Sequence, residues 1–339
     1  MKTYLSQLSS GKASTWNLMA DNFLEKDNLN EASSKLRDIW NLNWNDRILK
    51  EHLTARMIFL NKKHPSKPGP QDFRPISILS PLHKVLESRF LHELKEMSPK
   101  TLFPSQIGFI RGMDITTNIF RMYKFCMLNQ NRNIFILFID YKNAYNTIKW
   151  EYLFKTLDHL FQSNPEQVQF IKALYLNTKL RIRRKHLIPN TGLMQGSIIS
   201  PILFNMCIDP ILRQVNSQIG LTIEQILAFA DDIAFLCKSI QEVTTLIEFL
   251  EKTSLSIGLI INKNKSAILE VCSRKYAKPK WNLVLGNNLN GIAVVEEYTY
   301  LGIKVNRTLS LESTLNPSKV LPCTLSTALI LSLAVQVWT

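Results

Sequence analysis

The chain has 339 residues, 45% of them hydrophobic, and a formal net charge of +14, with an isoelectric point near 9.5. That is enough apolar sequence for a sizeable core in one large or two ordinary domains. The basic excess calls for an anionic partner, nucleic acid before anionic membrane, because each phosphate neutralised by Lys or Arg releases condensed counterions. The five cysteines are odd in number and lack metal-ligand spacing, which argues against a disulfide framework and for a reduced intracellular setting. The six histidines show no metal spacing either, and no secretory signal follows Met1-Lys2-Thr3.

Residues 1–60 read as a helical N-terminal extension, with helical alternation over Ala32–Trp40 and Arg47–Leu60. From Lys62 to Pro70 the chain is rich in Lys, Pro and Gly and reads as a mobile basic loop. Ile134–Ile139 is an unbroken apolar run of strand length, the pattern of a strand buried on both faces, and it ends at Asp140. An acid at the mouth of a buried strand is a site hypothesis. Lys179–Ile182 alternates basic and apolar residues and three basic residues, Arg183-Arg184-Lys185, follow, as in a strand with one basic face, which suggests a stripe that tracks phosphates.

Gln195-Gly196 precedes Ser200-Pro201, which reads as a helix start with Ser200 as N-cap and Pro201 in the first turn. Gly196 would allow nucleic acid or nucleotide to approach the backbone closely. Asp209-Pro210 would bend or end that helix, with Asp209 a local cap rather than a metal ligand. Ile226–Ala228 and Ala234–Cys237 flank Phe229-Ala230-Asp231-Asp232-Ile233 and read as a tight hairpin with an acidic tip. Two adjacent carboxylates at ~4 Å repel by roughly 4 kcal/mol at an effective dielectric of ~20. A divalent cation removes that penalty. If the Asp140 strand lies beside this hairpin, three carboxylates converge, enough oxygen ligands for a pair of Mg²⁺ ions that keep waters and take substrate phosphates. An amphipathic helix over Ile240–Leu255 and a strand-like Gly258–Asn262 follow, with Lys263 and Lys265 just beyond. The chain closes with twenty uncharged residues, Val320–Thr339, whose Ser, Thr, Cys323 and Gln336 make a poor membrane span.

Seven segments occur in one order: Phe73–Ser77; Gln106–Phe109 with Thr116–Asn118; Asp140–Tyr145; Met194–Pro201; Phe229–Asp232; Gly258-Leu259 with Asn262 and Lys265; and Tyr300–Gly302. In that order, from about residue 10 to about residue 305, the chain resembles the reverse transcriptase domain of non-LTR (LINE-type) retrotransposons. The resemblance implies an α+β, right-hand polymerase-like fold with an antiparallel palm sheet. Fingers would cover mainly 61–133 and 150–190, palm mainly 134–149 and 191–305, and 306–339 would be an incomplete or aberrant thumb or tail.

By the same resemblance the activity is RNA-directed DNA polymerisation with two Mg²⁺ ions, Mn²⁺ able to substitute, on an RNA template with a DNA primer or target DNA and dNTPs. Asp140 and Asp231 would bridge both metals, with Asp232 a weaker ligand or support. Lys62 or Lys63 and Arg74 would hold the triphosphate, Arg as a planar fork and Lys as a point charge. Tyr145 would fill the space of a 2′-hydroxyl and reject ribonucleotides. Gln195 and Gly196 would position template and incoming base, and Lys265 would protonate the pyrophosphate. Asn146 stands where an acid is frequent in the family. No endonuclease is expected within the chain and no membrane attachment; the setting would be the nucleus in a eukaryotic host. Oligomeric state is left open. Other readings are a group II intron maturase, an RNA-dependent RNA polymerase, and an inactive or domesticated fragment that binds nucleic acid without polymerising.

Overall fold

A computed structural model describes residues 53–62, 69, 72–162, 164–272 and 281–309. Most of the 1–60 extension, Lys63 and the Val320–Thr339 tail lie outside the described residues. The chain divides into two compact units, 1–100 with 145–207 and 101–144 with 208–339. The limits expected for fingers and palm do not coincide with these, because residues 101–133 fall in the second unit and 191–207 in the first.

The first unit is built on a four-stranded sheet. β1 (Thr54–Asn61) pairs antiparallel with β2 (Phe73–Ile78), so the helical alternation read over Arg47–Leu60 gives way to a strand at Thr54. Leu53, Met57 and Leu60 do fall at helical spacing, but β2 supplies a ladder partner for each residue from Arg56 to Asn61. Helix α1 (Pro81–Thr101) follows. In the second unit α2 (Ile115–Leu128), capped by Asp114, leads into β3 (Ile134–Ile139), all six residues of which are buried. The chain then returns to the first unit through α3 (Ala144–Thr147), α4 (Trp150–Leu160) and α5 (Pro165–Asn177). α4 buries Trp150, Leu153 and Leu157, one helical stripe. Phe170 of α5 stacks on Phe90 of α1, ring centroids 4.2 Å apart.

β4 (Lys179–Ile182) runs parallel to β1, and β5 (Lys185–Leu187) folds back on it, giving the order β2-β1-β4-β5. The basic run is therefore a hairpin rather than one strand: Ile182 pairs with Lys185, and Arg183 turns the chain at φ 54°. The stripe is split between two strands and a tip. Helix α6 (Ser200–Gln214) continues through Pro210. Its first turn is capped by Ser197, whose Oγ accepts from the N–H groups of Ile199 and Ser200 at 3.3 and 3.2 Å, and not by Ser200, which lies inside the helix and faces the Tyr175 hydroxyl.

The second unit holds a six-stranded sheet in the order β6-β7-β3-β8-β10-β9. β6 (Ile226–Phe229), β7 (Asp232–Cys237), β3 and β8 (Ala267–Val271) are each antiparallel to their neighbours in that order. β9 (Asn288–Leu289) is antiparallel to β10 (Ile292–Val295), which joins β8 in parallel. The expected antiparallel sheet thus holds apart from one pair. Alternation sends Ile134, Ile136, Phe138, Ala234 and Leu236 to one face, where they pack with Ile119 and Met122 of α2. Tyr300 and Ile303, from the hairpin β11 (Glu297–Tyr300) and β12 (Ile303–Asn306), complete that core. The opposite face meets α7 (Ile240–Ile257), which buries Val243, Leu246, Ile247 and Leu250. Ser239 caps α7, and Gly258, at φ 99°, ends it. Among the described residues no helix is long and apolar enough to cross a membrane.

Candidate active site

Ladder register brings the acids together. β3 and β7 pair Phe138 with Ala234 and Ile139 with Ile233, and one more step sets Asp140 opposite Asp232 on the same face. Asp231 occupies the two-residue turn between β6 and β7, since Phe229 pairs directly with Asp232. Like charges opposed across a ladder repel, and their effect is felt at Asp232. Its carboxyl is pushed up to about 6, first by the protein that withdraws water from it and then by the charges of Asp231 and Asp140. Its outer edge is still exposed to solvent.

Asp140 is clasped from behind. Its N–H donates to Ser266 Oγ at 3.0 Å, its carbonyl accepts from the Asn262 N–H at 2.8 Å, and its Oδ2 accepts from Asn262 Nδ2 at 2.8 Å. The strand-like 258–262 segment makes only an isolated bridge, Ile261 to Tyr141, which seats Asn262 against the acid. Lys265 is exposed in the turn that follows, its N–H donating to the Asn262 carbonyl at 2.9 Å. Lys263 is tied to Glu251 at 2.6 Å, so of the two lysines Lys265 suits the open site better. Tyr298 stacks on Phe138, centroids 4.3 Å apart, and its hydroxyl donates to the Lys265 carbonyl at 3.2 Å. That hydroxyl is pushed up to about 12 by burial, then by Asp140 and Asp232.

Among the described residues no three His, Cys, Asp or Glu side chains close around one point. The charges of Asp231 and Asp140 are nonetheless felt at Asp232. Hard carboxylate oxygens with room left for water and phosphate suit Mg²⁺ or Mn²⁺. Asp209, outside this group, accepts from the Phe103 N–H and pairs with Arg213 at 2.6 Å, so it is engaged as a structural anchor.

The first unit holds the other candidates. Arg74 is exposed on β2 opposite Leu60, and Lys62 is exposed at the end of β1 with its N–H on the Asp72 carbonyl at 2.7 Å. The Gln195 carbonyl accepts from the Ser77 N–H at 2.6 Å, and its side-chain Nε2 donates to Asn146 Oδ1 at 3.3 Å. Gly196, at φ 120°, is required by its own fold: a Cβ there would lie 2.1 Å from the Ser77 carbonyl oxygen. The backbone that a side chain at 196 would meet is that of β2. Tyr145, on α3, is half-buried and stacks on Phe204, centroids 4.8 Å apart at 16°. Two further contributors are Asn262 and Gln106; each lies within one of the seven segments, and no spacing marks either as a support for the acids.

The family model for reverse transcriptase (RNA-dependent DNA polymerase) matches residues 61–305. The chain belongs to the reverse transcriptase family. The chain is 24% identical over 270 residues to a retrovirus-related Pol polyprotein from the type-2 retrotransposable element R2DM of Drosophila melanogaster, covering 75% of the chain and 25% of the relative. It is 25% identical over 282 residues to the RNA-directed DNA polymerase from mobile element jockey of Drosophila funebris, covering 77% and 30%. The chain thus spans about a quarter of the length of these relatives. In fold it is similar to apo telomerase from Candida tropicalis truncated from its C-terminal domain, with a TM-score of 0.56, 11% identity and coverage of 77% and 55%. Telomerase from Candida tropicalis in complex with a TWJ fragment of telomeric RNA gives 0.58, 11%, 86% and 49%. The fold is the α+β right-hand polymerase type, and reverse transcriptases generally use divalent metal ions.

The Asp232 shift has a sign. The folded protein binds the proton more tightly than the unfolded chain, whose carboxyl titrates near 3.8. Stability of the ion-free protein therefore falls as pH rises from about 4 to about 6. A divalent ion competes with that proton, so the rise in melting temperature on adding Mg²⁺ is expected to be larger at about pH 7.5 than at about pH 5. Thermal melts in chelator, with and without excess Mg²⁺, test this; an increment independent of pH would show that Asp232 is not at the ion.

Proposed function

We propose that this chain catalyses RNA-templated DNA synthesis as the reverse transcriptase of a LINE-like retroelement. A primer 3′-hydroxyl attacks the α-phosphate of a deoxynucleoside triphosphate in line, and pyrophosphate departs. The observation that carries this reading is the β3–β7 register, which sets Asp140 opposite Asp232 with Asp231 in the adjoining turn.

Asp140 and Asp231 would hold two Mg²⁺ ions between them. Asp232, whose carboxyl resists ionisation, suits the weaker ligand or support. When bound, the ions would lower the cost of ionising the attacking hydroxyl and neutralise charge on the leaving oxygens. Asn262 Nδ2 donates to Asp140 Oδ2 and orients that carboxylate. Lys265 would give its proton to the departing pyrophosphate. Arg74, with Lys62 or Lys63, would grip the triphosphate, and Gln195 would position template and base beside the Gly196 turn.

Tyr145 is the proposed discriminator between sugars. Its stack on Phe204 holds the ring as a fixed wall, and a rigid wall is what exclusion of one extra hydroxyl requires. Extension of a DNA primer on an RNA template with Mg²⁺ and deoxynucleotides tests the activity. Tyr145→Ala is expected to raise ribonucleotide incorporation relative to deoxynucleotide by about tenfold or more, read from single-nucleotide kcat/KM ratios. An unchanged ratio would assign Tyr145 to packing alone.

A further inference from the structure

The turn that presents Asp231 does not stand by itself. Ala230 sits at φ 54°, a left-handed conformation that residues with a Cβ rarely adopt. Both of its backbone groups are taken by one side chain from elsewhere in the sequence. The Ala230 N–H donates to Gln106 Oε1 at 2.8 Å, and Gln106 Nε2 donates to the Ala230 carbonyl at 3.2 Å. The amide of Gln106 thus replaces a strand partner at the point where the ladder ends.

Gln106 is itself fixed. It is 3% exposed, and its Oε1 also accepts from the Gly108 N–H at 3.1 Å, which settles which end of the amide faces which group. Its backbone lies alongside β6: the Ile107 N–H donates to the Ala228 carbonyl at 3.0 Å, and the Ala228 N–H to the Ser105 carbonyl at 3.2 Å. Asn118 Nδ2 donates to the same Ala228 carbonyl at 3.1 Å. Gly108 keeps the approach open, because a Cβ there would come within 2.5 Å of the Ala230 nitrogen. The Ser105–Gly108 segment is thereby moulded to the acidic turn.

We infer that Gln106 is a positioning residue for the metal-binding carboxylates. Its side-chain amide engages backbone, at Ala230 and Gly108; it locks Ala230 and so aims Asp231 and the first residue of β7, Asp232. This rests on the polymerase reading for its role in catalysis, but not for its role in ion binding. Groups that orient metal ligands from behind typically change ion affinity or activity by about 10–100-fold when removed.

The test uses the full chain with Gln106→Met, which keeps length and volume without the amide, and Gln106→Glu. A protonated Glu accepts from the Ala230 N–H and donates to the Ala230 carbonyl, so it can restore both bonds. Mn²⁺ binding is read by electron paramagnetic resonance, extension by its Mg²⁺ dependence, and nucleic-acid affinity and melting serve as controls. Gln106→Met is expected to weaken Mn²⁺ binding about tenfold and to slow extension about a hundredfold at fixed Mg²⁺, with nucleic-acid affinity within about twofold of wild type. Gln106→Glu should recover Mn²⁺ affinity relative to Gln106→Met as the added carboxyl is protonated. Wild-type Mn²⁺ affinity in Gln106→Met overturns the inference, as does a loss that only follows the fall in folded fraction. Should Gln106→Met fail to fold, the Gln106→Glu series decides in the same way. A wild type that binds Mn²⁺ without extending primers would instead overturn the polymerase reading and leave the Mn²⁺ comparison standing.

Discussion

Replacing Asp231 by Asn is expected to reduce Mg²⁺-dependent primer extension by about 10³-fold, the scale on which removal of one charge-stabilising group from a transition state acts. Asn has nearly the shape of Asp and is at home in turns, so the Phe229–Asp232 pairing that closes the hairpin has no reason to change. What changes is charge. One oxygen able to hold an ion becomes an amide, and the repulsion that helps to raise the Asp232 carboxyl is removed. The variant should therefore show a second signature, an Asp232 that titrates closer to an ordinary carboxylate, seen as a narrower acidic window in the pH dependence of ion-free stability. Single-turnover extension with saturating primer–template separates this from weaker substrate binding. A variant that kept more than about a tenth of the wild-type rate would remove Asp231 from the chemistry.

The largest expected loss of stability lies away from the acids. Glu270, on β8, is fully buried and pairs with Arg307, itself 7% exposed, at 2.9 Å. Its Oε1 accepts from the Asn282 N–H at 2.8 Å and from Asn133 Nδ2 at 2.7 Å, and its Oε2 from the Leu283 N–H at 2.8 Å. Arg307 also donates to the Leu283 carbonyl at 3.2 Å and lies over the Trp281 ring, 3.7 Å from its centroid. Arg307→Ala leaves a buried carboxylate with hydrogen bonds but no countercharge, a change that costs about 3–5 kcal/mol. Urea denaturation followed by circular dichroism should show a loss of that size. Arg307→Lys, which keeps the charge and gives up the planar fork, should fall between. A loss under about 1 kcal/mol in Arg307→Ala would mean that the backbone donors alone satisfy Glu270.

Patterns that are local and repetitive were legible in the sequence. β3 and the β6–β7 hairpin announce themselves by apolar runs ending in acids, and α7 by its stripe. The first strand was not legible as one, because Leu53, Met57 and Leu60 mimic helical spacing while the ladder that decides the matter comes from Phe73–Ile78. Ser197 and Ser200 are equally good caps on paper; only the three-dimensional turn shows that Ser197 reaches the open N–H groups. Gly196 was visible as a special backbone position, yet its reason is the Ser77 carbonyl. The Glu270–Arg307 pair joins residues 37 apart in sequence, and no periodicity links them. Long-range polar partnerships of that kind, like those of Asn262 and Gln106, leave no spacing signal.

The seating of Gly196 on Ser77 has a mechanical consequence. Because the Ser77 N–H is also bonded to the Gln195 carbonyl, the strand that carries Arg74 and the turn that carries Gln195 form a single lever. The proposed triphosphate grip and the proposed guide for the base are thereby tied through one backbone contact. For anyone reshaping nucleotide choice, residues 74–77 and 194–197 are one unit of design, and substitutions divided between them should combine non-additively.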